Sequence, residues 1–139
     1  MIRPIVAASA AAMLASCTMS PAEQARQDSV AARQEARLSE ALAGLEPTGR
    51  TSSCVPRFEV RQTKLYDGTI LFERSRNHVY RSDVGPGCGR NQDDILVFKS
   101  ANSASYCAGD IVQLRSRSGG FFSGSCSLGE FTELKRDAR

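Results

Sequence analysis

The chain has 139 residues, of which 41% are hydrophobic and 24% are charged, and its formal net charge at pH 7 is +3. That length suits a single domain, and that charge is too small to predict a nucleic-acid-binding protein. The charge is uneven, since residues 18–47 hold three arginines and five acids, whereas residues 48–139 hold fourteen basic residues and ten acids. We therefore expect no nucleic-acid partner.

The N-terminus begins with a short apolar run that follows a single positive charge. Arg3 supplies the charge, and the uncharged run extends from Ile5 to Leu14. The run is too short to span a bilayer, which takes ~20 apolar residues, so it predicts a signal peptide over residues 1–16. An ordinary secretory signal with an Ala-x-Ala cleavage site nearby is the alternative.

The four residues at the end of this run are Leu14-Ala15-Ser16-Cys17, and they resemble the lipobox of bacterial lipoprotein precursors. The resemblance implies cleavage before Cys17, a diacylglycerol thioether on its sulfur and an acyl chain such as palmitate on its new amino group. Two or more acyl chains hold a protein durably on a membrane. Because Thr18 rather than Asp follows the cysteine, the resemblance also implies the outer membrane, with the protein facing the periplasm.

The residues after the cysteine predict one α-helix. Ser20 can cap its first turn, and Pro21 suits the first helical position. Gly44 and Pro47 mark its end. The apolar stripe of this helix is thin and has no aromatic member; it consists of Ala31, Leu38, Leu42 and Leu45.

The thin stripe decides the predicted domain organisation. Residues 17–47 are interpreted as the lipidated cysteine followed by a solvated spacer helix, with a coiled-coil or partner-docking seam as the alternative. The composition of residues 48–53 predicts a linker. All nine aromatic residues lie after residue 47, so the core is expected in a small β domain over residues 54–139 that folds without the helix.

The C-terminal segment predicts strands and no further helix. Asp67-Gly68 is a turn signal between two strand-like runs, which indicates a tight hairpin. The runs that predict strands include Lys64–Tyr66, Thr69–Phe72, His78–Arg81, Ile95–Phe98 and Ile111–Leu114. Six or seven short strands predict a mainly β fold, a disulfide-linked barrel or sandwich preceded by a single helix.

Four short cysteine motifs in this segment occur in an order that resembles that of a known family. Their order is Ser-Cys-Val, Gly-Pro-Gly-Cys, Tyr-Cys-Ala-Gly-Asp and Ser-Cys-Ser-Leu-Gly, centred on Cys54, Cys88, Cys107 and Cys126. This order resembles a family of short Gram-negative envelope proteins that carry a domain of unknown function with four spaced cysteines. The resemblance covers about residues 53–135. It implies a secreted, disulfide-containing β domain and brings no established activity.

The four cysteines that remain after lipidation predict two disulfides, because their number is even and the protein is exported. No close C-x₂-C spacing favours a metal site instead. Four cysteines allow three connectivities, of which we predict Cys54–Cys126 and Cys88–Cys107. The first pair would join the two ends of the domain, and the second would clasp the loops around the strand Asp94–Lys99.

Two Arg-Ser-Arg triplets are candidate anion-binding sites. Residues two apart on a strand point the same way, so Arg74 with Arg76, and Arg115 with Arg117, would each form a two-pronged clamp. Solvated strand ends, where arginines discourage aggregation, are the alternative. An anionic envelope component or an envelope protein is the partner expected from this pattern.

Catalytic signals are weak. His78 is the single histidine, so a hydrolase would have to use it with Asp67, Asp83, Ser75 or Ser82. The chain has no Gly-x-Ser-x-Gly nucleophile motif. The acidic candidates Asp93, Asp94 and Asp110 lack EF-hand spacing and are expected in loops and turns. We expect no metal ion and no cofactor.

The sequence therefore favours a lipid-anchored envelope protein with a non-catalytic binding or structural β domain. One alternative is a lysozyme-inhibitor-like β barrel, because Ser103-Ala104-Ser105-Tyr106 is similar to the Ser-Gly-x-x-Tyr loop of membrane-bound lysozyme inhibitors, with Ala104 in place of the glycine. The other is a hydrolase that uses His78.

Overall fold

The fold was obtained as a computed structural model, which describes residues 19–85, 88–91 and 93–137. The predicted signal peptide, residues 1–16, and the predicted lipidation site, Cys17, lie outside the described residues. The described part has one helix, α1 (Pro21–Leu42), one 3₁₀ turn (Arg57–Glu59) and ten strands. The strands are β1 (Glu46–Ser52), β2 (Cys54–Pro56), β3 (Gln62–Tyr66), β4 (Thr69–Ser75), β5 (His78–Asp83), β6 (Asp94–Lys99), β7 (Ser105–Cys107), β8 (Ile111–Ser116), β9 (Phe122–Ser127) and β10 (Phe131–Lys135).

The strands form three antiparallel sheets. The largest has five strands in the order β1-β10-β5-β4-β3, and the others are β6-β8-β9 and β2-β7. The main core lies between the large sheet and the two small ones, and it consists of Val55, Ile70, Phe72, Val112, Leu128 and Phe131. The predicted mainly β class is confirmed, with a sandwich-like arrangement of open sheets in place of a closed barrel.

The predicted hairpin at Asp67-Gly68 is confirmed as the β3–β4 turn. Gly68 has φ +75°, a left-handed conformation that costs glycine little. Strand β4 then buries four consecutive residues, from Thr69 to Phe72. Ile70 and Phe72 belong to the main core, whereas Leu71 points to the opposite face of the sheet. The large sheet therefore has an apolar patch on both faces.

Helix α1 covers the second of these faces. Ser20 caps it as predicted, since its hydroxyl accepts a hydrogen bond from the Glu23 backbone N–H at 3.2 Å, and Pro21 occupies the first turn. A second apolar cluster then joins the helix to the sheet, and its members are Tyr66, Leu71 and Val79 with Leu38, Ala41, Leu42 and Leu45. The prediction of a solvated spacer is wrong for the C-terminal part of the helix, because the thin leucine stripe packs on Leu71.

The end of α1 is also fixed to the last residues of the described chain. Gly44 ends the helix in a left-handed conformation, with φ +72°. Arg136, just after β10, donates a hydrogen bond from Nη2 to the carbonyl oxygen of Ala43 at 3.0 Å. The carbonyl groups at a helix C-terminus lack partners within the helix, so this bond satisfies one of them.

The linker predicted for residues 48–53 is wrong, because most of it belongs to strand β1. This strand lies at the edge of the large sheet and pairs with β10, so that Glu46 faces Lys135 and Ser52 faces Phe131. All seven of its residues are exposed, and the register is irregular between Pro47 and Thr51. Pro47 is tolerated because an edge strand needs hydrogen bonds on one side only.

Both disulfides differ from the predicted pairs Cys54–Cys126 and Cys88–Cys107. The structure joins Cys54 to Cys107 and Cys88 to Cys126. Cys54 faces Cys107 directly in the β2–β7 pair, with 4.0 Å between their Cα atoms. The prediction assumed that a disulfide closes the two ends of the domain, but backbone hydrogen bonds between β1 and β10 join those ends instead.

Non-reducing peptide mapping should yield fragments linked 54–107 and 88–126. These bonds close loops of 53 and 38 residues, for which the chain-entropy model gives about 4 kcal/mol each. The double variants Cys54→Ser/Cys107→Ser and Cys88→Ser/Cys126→Ser should therefore lose similar amounts of unfolding free energy. A fragment linked 54–126 would contradict the pairing.

Replacing the helix residues that contact the sheet should destabilise the whole domain. Leu38→Ala and Leu42→Ala are each expected to lower the unfolding free energy by about 1–2 kcal/mol, less than for a fully buried leucine because both are half-buried. The control is Glu35→Ala on the exposed side of the same helix, where the change should stay within about 0.5 kcal/mol. Equal urea midpoints for all three variants would show that α1 does not contribute to the fold.

Candidate functional site

The single histidine belongs to a cluster of polar side chains at one end of the large sheet. His78 begins β5, and its ring packs against Tyr80 with 4.9 Å between the ring centroids. Its Nε2 lies 2.8 Å from Oε1 of Glu133 on the neighbouring strand β10, although the N–H bond is not aimed at that oxygen. The contact is therefore mainly electrostatic.

Glu133 is the centre of this polar cluster. Its carboxylate accepts a hydrogen bond from the Thr48 hydroxyl at 2.9 Å and lies 3.0 Å from the Lys135 ammonium nitrogen. Burial alone would raise the pKa of Glu133, but the bonds from Lys135 and Thr48 and the nearby positive charges keep it below its ordinary value. Thr48 belongs to the segment predicted as a linker, so sequence analysis missed this contact.

The surroundings of His78 disfavour its charged form, whereas those of Glu133 favour the charged carboxylate. Burial lowers the pKa of its imidazole because the charged form is desolvated, and Lys135 and Arg74 add to this effect, whereas Glu133 opposes it. Among the described residues, no hydrogen bond joins His78 to a hydroxyl group. Ser82 lies four residues along the same strand and donates to the carbonyl oxygen of Gly129 at 3.0 Å.

The other partners considered for a catalytic histidine are placed elsewhere. Asp83 lies on the opposite face of β5, where it accepts hydrogen bonds from Arg81 and from the Thr69 hydroxyl, both at 2.9 Å. Ser75 accepts a hydrogen bond from the Asn77 backbone N–H at 3.3 Å, and Asp67 lies in the β3–β4 turn. Within the described residues, the contacts of His78 thus include an acid but no activated nucleophile.

The four candidate arginines do not form two strand clamps. Arg74 and Arg115 lie on strands β4 and β8, whereas Arg76 and Arg117 lie in the turns that follow those strands. The premise that both arginines of a triplet share one strand is therefore wrong. Arg74 pairs with Glu59 at 3.2 Å, and Arg115 donates a hydrogen bond to the Gly120 carbonyl oxygen at 3.2 Å.

The remaining sequence candidates have structural roles or exposed positions. Asp110 closes a turn, because its Oδ2 accepts hydrogen bonds from the Ser100 hydroxyl at 2.6 Å and the Cys107 N–H at 2.9 Å. Tyr106, the last residue of the inhibitor-like loop, packs in the core against Phe72 with 5.1 Å between the ring centroids. Within the described ranges, no group of three His, Cys, Asp or Glu side chains is placed to hold a metal ion.

A groove runs along the side of α1 that borders the β domain. One cavity of about 580 Å³ is lined by α1, β3, the start of β6 and the β8–β9 turn. A second, of about 520 Å³, is lined by α1, the loop before β6 and the end of β8. Arg37 and Asp94 line both cavities, so we treat them as one feature, the α1 groove.

Arginines dominate the polar lining of the α1 groove. Arg117, from one of the predicted triplets, is joined there by Arg33 and Arg37 from the helix and by Arg90 from the loop before β6. Sequence analysis did not select these last three, because nothing in the sequence shows that α1 lies beside this loop. Asp93 and Asp94, considered separately, line the same groove.

Comparisons with known proteins do not identify the site. No protein-family model matches the chain, and searches of curated proteins and of solved structures find no match. The described residues also include no helix long and apolar enough to cross a bilayer.

Acidification should destabilise the fold in two steps. In the folded protein the pKa of His78 lies below 6.5, its ordinary value in the unfolded chain. As the pH falls through 6.5, the unfolded chain therefore binds a proton at His78 before the folded protein does, and the free energy of unfolding decreases. The pKa of Glu133 lies below its ordinary 4.5, so a second loss follows when the pH falls below it.

Urea unfolding of the wild type and of His78→Gln measures the first step. Between about pH 7.5 and about pH 5.5 the wild type should lose unfolding free energy, whereas the variant should lose clearly less. An equal loss in both proteins would show that His78 does not cause this pH dependence of stability.

Proposed function

We propose that this protein is a lipid-anchored component of the bacterial cell envelope whose β domain binds a partner without catalysing a reaction. The observation that carries the proposal is the docking of α1 on the large sheet through Leu38, Ala41 and Leu42. In sequence, Cys17 lies four residues before Pro21, the first residue of that helix. A lipid on Cys17 would therefore connect to the domain through a docked helix.

This arrangement limits the distance between the membrane and the domain. Helix α1 has 22 residues, which gives a length of ~33 Å, and only its N-terminal part precedes the contacts with the sheet. An anchor at its start would hold the domain within a few tens of ångströms of the bilayer. The protein would then search for partners at the membrane surface.

The two disulfides support an oxidising compartment. Disulfides persist in the periplasm and outside the cell, and they are rare in the reducing cytoplasm. Cys54–Cys107 joins two strands of only three residues each, and Cys88–Cys126 ties a loop to β9. Together with the lipobox, these bonds support an outer-membrane protein that faces the periplasm.

The contacts of the polar residues support a binding role over a hydrolase. The half-buried His78 lies against the Glu133 carboxylate, which also contacts Thr48 and Lys135. Arg74, whose charge also acts on the imidazole, pairs with Glu59 at 3.2 Å. This set satisfies a buried acid, and in the part of the chain that the structure describes no hydroxyl group is hydrogen-bonded to the imidazole.

Replacement of the lipidated cysteine tests the anchor. Wild-type protein should fractionate with membranes and carry the mass of its acyl chains, whereas Cys17→Ala should be released or remain unprocessed. Thr18→Ala is the matched control, because it changes the neighbouring residue and leaves the acceptor thiol in place. Soluble, unmodified wild-type protein would contradict the proposal.

A further inference from the structure

The arginines of the α1 groove are only partly balanced by acidic side chains. In the described part of the chain, no ion pair joins Arg33, Arg37, Arg90 or Arg117 to a carboxylate. Lys64 also lines the groove, but its ammonium lies 2.7 Å from the Glu73 carboxylate, a contact that raises the pKa of Lys64. Arg33 donates one hydrogen bond from Nε to the carbonyl oxygen of Ser29 at 3.2 Å, and the other guanidinium N–H groups of these arginines are available to an anion.

The charge balance of the groove indicates how much negative charge it accepts. Four arginines face two acids, Asp93 and Asp94, and Lys64 is neutralised by Glu73. Counted over the lining of these two cavities, the net charge is then +2. A ligand with two negative charges would neutralise it, and the two aspartates would accept hydrogen bonds from hydroxyl groups on the same ligand.

Gln34 provides an independent sign that the groove takes a polar ligand. Its side chain lines the groove, it is only 2% exposed, and its amide Nε2 has no hydrogen-bond partner among the described residues. A buried amide donor without a partner is unfavourable, and such groups are rare in folded proteins. An oxygen atom of a bound ligand would satisfy it.

The position of Gln34 on α1 strengthens this argument. It precedes Leu38 by four residues and so continues the stripe of the helix that faces the sheet. Packing alone would favour an apolar residue there. The chain instead places an amide donor at the point where the apolar contact ends and the arginine-lined groove begins.

We propose that the α1 groove binds a phosphate monoester. Near pH 7 this group carries a charge of about −1.5 to −2 and three strong acceptor oxygens. Guanidinium forks match phosphate oxygens in pairs, and the Gln34 amide adds a neutral donor. The proposal names a ligand class for the binding role proposed above, and it does not depend on the lipid anchor.

Phosphate monoesters reach the envelope from two sources, a soluble phosphorylated sugar or a lipid headgroup. A protein of residues 18–139 includes every described residue and lacks Cys17, so its binding reports on the groove without the anchor. Its binding should be measured by calorimetry with glucose 6-phosphate and by sedimentation with phosphatidylcholine vesicles that contain phosphatidic acid. Binding to either probe supports the shared chemistry, and the probe that binds identifies the source.

Three variants locate the binding. Gln34→Leu and Arg37→Gln should each weaken affinity at least tenfold, because each removes a donor from the groove. Arg50→Gln is the matched control, since it removes the same charge from exposed strand β1, away from the groove, and should change affinity less than twofold. Gln34→Leu should keep or raise the thermal midpoint, and Gln34→Met serves as a second apolar variant if it does not fold.

The pH dependence separates a monoester from other anions. A phosphate monoester loses its second charge near pH 6, so its affinity should fall between about pH 7.5 and about pH 5.5, while sulfate shows no comparable loss. The proposal is overturned if neither probe binds, if folded Gln34→Leu or Gln34→Met binds like wild type, or if succinate binds more tightly than glucose 6-phosphate. A soluble, unlipidated wild type would refute the anchor alone.

Discussion

Strand β4 buries four consecutive side chains, and a strand that is buried on both faces needs a covering layer on each side of its sheet. Ile70 and Phe72 are covered by the two smaller sheets, and Leu71 is covered by α1. The rest of the architecture follows from this constraint. The helix that would carry the anchor is also the third layer of the domain.

Parts of the fold were predictable because they depend on local sequence. The Asp67-Gly68 turn and the Ser20 cap are set by neighbouring residues, and both are present. The role of α1 was not predictable from its thin apolar stripe. The stripe is wide enough to dock the helix only because Leu71 lies on the facing side of the sheet. The continuous apolar run from Ile70 to Phe72 was the available signal, as a sheet with one solvated face would alternate.

The pairing of strands and cysteines that lie far apart in the chain could not be predicted from the sequence. Strand β1 has no buried residue and depends on hydrogen bonds to β10, some 80 residues away, so its composition resembles a linker. The same pairing joins the ends of the domain and leaves Cys54 to bond Cys107. In the α1 groove, Arg117 was selected from its triplet. Gln34 and Arg37 can be recognised as groove residues only from the structure, which places the helix beside the β domain.

Helix α1 is a structural layer of the domain, and native-state hydrogen exchange tests this role most directly. If α1 has this role, the amides near Leu38 and Leu42 should exchange through the same unfolding event as those of β4 and β5, with similar free energies of opening. A helix that is only a spacer would open independently, and its amides would exchange many times faster than those of the strands. Fast exchange throughout α1, with protected strands, would contradict the account.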